Sequence, residues 1–98
     1  MNPEAVQAAQ AAVGRLDHLL AGRPQETHEE LSFAVRGIVG IRDALIARRR
    51  AGDDVEAVLA EVNKLVTTAI GAQFPISDMQ WDRVERMRDG LRSVLRVL

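Results

Sequence analysis

Apolar residues recur along this chain at spacings of three and four, and nowhere in the strict alternation of a strand, so the pattern predicts helices throughout. Four stretches carry it, at about 3–21, 28–50, 54–70 and 78–98. The joining segments are short and no repeat or low-complexity run intervenes. The expectation is one all-α domain over residues 1–98. Its architecture reads as a four-helix up-and-down bundle, closed by itself or completed by dimerisation.

The second stretch organises the others. At about 100° per residue, Leu31, Ala34, Val35, Ile38, Val39, Ile41, Leu45 and Ile46 cover roughly half of the helix. A second stripe, Phe33, Gly37, Gly40, Ala44, Ala47 and Ala51, follows one aromatic residue with a line of very small ones. Ser32, Arg36 and Asp43 are left as a narrow polar strip, which predicts two packing partners for this helix.

A glycine inside a helix costs about 1 kcal/mol relative to alanine. Gly37 and Gly40 therefore point to close approach of another backbone, from this chain or from a second copy. Tolerated drift and room for a small ligand are the competing readings. Arg42 projects from the apolar arc between Ile38 and Leu45, where an unpaired guanidinium is costly. In one reading its stem covers apolar surface while its head leaves the core or meets an acid. In the other it is a buried polar device that sets register across an interface or holds an anion.

Local signals mark the helix ends. Asn2, Pro3 and Glu4 read as a cap, a first-turn proline and an acid at the positive end of the dipole. Gly22 and Pro24 read as the stop of that helix. Thr27 with Glu30 matches a capping box, and Arg48, Arg49 and Arg50 complement the far end of the second helix before Ala51 and Gly52 close it. Asp53 and Asp54 open the third helix, whose stripe runs through Val55, Val58, Leu59, Val62, Leu65, Val66, Ala69 and Ile70. Residues 71–76, with Phe74 and Pro75, are the longest interruption and read as a small lid over one end. Ser77 with Gln80 forms a second capping box, and Ile76 with Trp81 a hydrophobic staple. The fourth helix carries Val84, Met87, Leu91, Val94, Leu95 and Leu98 on one face, and an end on Val97 and Leu98 reads as docked.

Composition narrows the chemistry. Ninety-eight residues, 47% of them hydrophobic, suffice for a single core. No cysteine is present, which excludes disulfides, thiolate metal sites and cysteine nucleophiles and leaves the compartment open. A net charge of −1 creates no global field toward nucleic acid or anionic lipid. The alanine-rich start lacks the basic region of a signal peptide, and no run approaches a membrane span, so a cytoplasmic protein without membrane contact is expected. Lys64 is the one lysine among 13 basic residues, a bias that suggests a GC-rich bacterial genome.

His18 and His28 flank the first turn with Asp17, Glu26, Glu29 and Glu30, the donor types of a divalent metal site. No Glu-x-x-His or His-Glu-x-x-His spacing accompanies them, so solvated histidines and no metal or cofactor are the expectation. A phosphotransfer bundle exposes a histidine midway along a helix, whereas both of these lie near helix ends. Ser32, Ser77, Ser93, Thr27, Thr67 and Thr68 include no nucleophile in a glycine-flanked elbow. No catalytic residue is assigned, and an enzyme is not expected.

The leading expectation is a non-enzymatic helical interaction module, most simply a homodimer. Its surface would be the stripe of Phe33, Gly37, Gly40 and Ala44 with Arg42 and Trp81, or the outer face of the fourth helix. The alternative is a small nucleic-acid-binding regulator using Arg48, Arg49, Arg50, Arg88, Arg92 and Arg96. Residues 81–98 hold five arginines against three acids, an excess of only +2, and the acidic turn at Asp53 and Asp54 opposes phosphate.

Overall fold

Residue-level signals at each end decide where the four elements begin and stop. The computed structural model describes residues 2–73 and 80–98. It places α1 at Pro3–Gly22, α2 at His28–Arg50, α3 at Glu56–Gln73 and α4 at Trp81–Val97. Among the described residues there is no strand, and no helix is long and apolar enough to cross a membrane.

Asn2 caps α1 as its sequence predicts, its Oδ1 accepting the Glu4 N–H at 2.9 Å beside Pro3. The stop of α1 differs. Gly22 stays helical and Arg23 takes the left-handed conformation at φ 43°, donating its N–H to the Leu19 carbonyl at 2.7 Å. That conformation costs a non-glycine residue about 1–2 kcal/mol. It also sets the Arg23 guanidinium over the Trp81 ring, 5.7 Å from the centroid, and the contact offsets part of the cost.

The capping box at Thr27 does not form, because Thr27 makes no side-chain cap bond and the Glu30 carboxylate turns to Arg15 on α1. Both carboxylate oxygens accept from Arg15 at 3.1 Å, and a charge-assisted pair outcompetes a reach back to a solvated backbone N–H. The other end of α2 follows expectation. The Asp53 and Gly52 N–H groups return to the Arg48 and Arg49 carbonyls at 3.0 Å each, with Gly52 at φ 101°, a Schellman closure that needs glycine there.

Helix α3 starts two residues later than expected, after Asp54, whose carboxylate accepts the Glu56 N–H at 3.4 Å. It also runs further, to Gln73, so residues 71–73 of the expected lid are helix, with Ala72 buried. The rest of that lid, the Ser77 box and the Ile76 staple lie outside the described residues.

Each helix packs against two neighbours in a closed ring, α1 on α2, α2 on α3, α3 on α4 and α4 on α1, within an envelope of 44 × 23 × 18 Å. The two partners expected for α2 are therefore α1 and α3. Leu31, Ile38, Ile41 and Leu45 of α2 are fully buried and meet Leu16, Leu19, Val62, Met87 and Leu91 in one core. Two rotations differ from the faces the spacing predicts, which are Val6, Ala9, Val13, Leu16 and Leu20 on α1 and the stripe ending at Ile70 on α3. On α1 the deepest line is Ala9, Ala12, Leu16 and Leu19, with Val13 and Leu20 half-buried beside it, because only alanine fits where α1 crosses Gly37. On α3 Ile70 is 49% exposed, and Ala69 and Ala72 hold the core side instead.

Candidate functional site

The small-residue stripe of α2 divides along its length. Gly37 is buried, and a Cβ built there would lie 3.0 Å from the Ala12 Cβ and 3.2 Å from the Ala8 carbonyl oxygen. Close approach at this glycine is thus to α1 of the same chain. Phe33, half-buried, is covered by Arg15, whose guanidinium carbon sits 4.3 Å above the ring. Gly40 meets no atom within 4 Å of its virtual Cβ, and Ala44 is half-buried. Arg42 takes the first of its two readings in part. Its side chain is 34% exposed and its head reaches Asp43 at 3.5 Å, while Nε is buried without a partner. Trp81 is half-buried at the start of α4 beneath Arg23.

Four of the six arginines considered for nucleic acid are held by carboxylates. Arg48 bonds Asp53 at 3.1 Å and Arg49 lies 3.7 Å from Glu56, across the α2–α3 turn. Arg88 and Arg92 converge on Asp17 of α1, at 3.2 and 2.9 Å. Arg50 and Arg96 are exposed and form no ion pair among the described residues. The hydrogen bond to Asp89 raises the Arg88 guanidinium above its ordinary pKa, against a lowering by burial, and Asp17 adds to the rise. The effect is a fixed cation clamping α4 to α1. Asp17→Ala releases both arginines at once, with an expected loss of about 1 kcal/mol because the cluster is half exposed. Urea unfolding of this variant beside an Arg92→Ala cycle checks it, and an unchanged midpoint would show that the clamp contributes nothing.

A groove of about 340 Å³ is lined by Ala8, Phe33, Arg36 and Gly37 on α1 and α2, and a larger one of about 840 Å³ opens between α3 and α4. Val55, Val58, Leu65 and Val94 form its floor. It exists because the residues facing it from both helices are small, Ala57 and Thr68 on α3 and Gly90 and Ser93 on α4, while Leu59 and Val62 turn into the core. Leu65 sits on Gly90 so closely that a Cβ at position 90 would overlap its Cδ2. Sequence reasoning misses Gly90, although an interior glycine between Met87 and Leu91 carries the same signal as Gly37. The rim holds Asp54 from the turn before α3, Glu61 and Lys64 from α3 and Arg86 from α4, and Val97 stands 71% exposed at one end.

His18 and His28 are both exposed at the other end of α1 and the start of α2. Among the described residues no three His, Asp or Glu side chains gather as a metal site would require. Ser93 lines the groove without a neighbouring histidine along its rim. An apolar floor with a charged rim is a surface that can contact another apolar surface. Comparison with known proteins gives no match: no family model, no curated protein and no solved structure is similar to this chain.

Proposed function

We propose that this chain is a small non-enzymatic helical association module that works as a homodimer. The observation that carries the reading is the α3–α4 groove, an apolar-floored trough with Val97 exposed beside it. A helical surface of this kind is a receptor for another helical surface. The apolar arc of α2 supports the reading less, since α1 and α3 cover it, and the surface we propose is on α3 and α4.

Absolute molar mass by light scattering on a sizing column tests this, across about 1 µM to about 1 mM, the span in which small interfaces associate. The expected result is a mass that rises with concentration toward twice 10.8 kDa. A mass that stays at 10.8 kDa throughout would remove the homodimer.

A further inference from the structure

We draw no further inference here: the strongest candidate, the apolar-floored groove between α3 and α4 with Val97 exposed at one end, carries nothing beyond the association reading because nothing in the structure shows what covers it.

Discussion

Ile38→Ala lowers the unfolding free energy by about 2–5 kcal/mol, a large share of the 5–15 kcal/mol that holds a domain of this size. Ile38 is fully buried at the middle of α2, and the space its side chain leaves is bounded by α1 and α3, which cannot both collapse into it. In a chain of this length the loss appears as a fall in melting temperature of about 10 °C or more. Ile70→Ala is the internal comparison. The same atoms are deleted, but Ile70 is 49% exposed and alanine is the better helix former, so the change stays within about 0.5 kcal/mol. Thermal and urea unfolding of the two variants side by side measure the difference. Equal effects would mean that α3 is rotated from the orientation described.

The two glycines of α2 are expected to move stability in opposite directions. At Gly37 any side chain enters the backbone of α1 at Ala8 and the methyl of Ala12, neither of which can rotate away. Gly37→Leu therefore destabilises by about 1–3 kcal/mol even after the helix regains about 1 kcal/mol of propensity. At Gly40 an added methyl meets nothing. Gly40→Ala is expected to stabilise by up to about 1 kcal/mol and to leave the molar mass behaviour unchanged, since the proposed interface lies on the opposite pair of helices. Chemical denaturation supplies the first quantity and light scattering the second. A Gly40→Ala variant that loses self-association would return the interface to the α2 stripe.

These pairs show what could be read in advance and what could not. The four helices were legible because 3.6-residue periodicity and end signals are local, and Asn2 and Gly52 act as their residue types dictate. Thr27 and Glu30 were misread as a capping box because Glu30 had a stronger partner, Arg15, fifteen residues away in sequence. The candidate arginines were legible as cations but not as clamps, since Asp17 lies more than seventy positions from Arg88 and Arg92. The α3–α4 groove was not legible at all. It depends on Ala57, Thr68, Gly90 and Ser93 facing one another, and small residues on two helices become a trough only when both helices are turned toward the same seam.

By itself the sequence determined the all-α class, the number and order of helices, and the central place of α2 with two neighbours, because each follows from burying an apolar stripe on a helix of known pitch. Only the tertiary structure decided the rotation of each helix about its own axis. That rotation places Ala12 and Leu19 rather than Val13 and Leu20 at the bottom of the core, and turns Ile70 to solvent. It also closes Gly37 while leaving Gly40 open, and sets Leu65 onto Gly90. The physical reason is that a stripe about 100° wide leaves the helix free to turn by a residue in either direction. The choice is made by volumes and charges on the facing helices, which no local pattern contains.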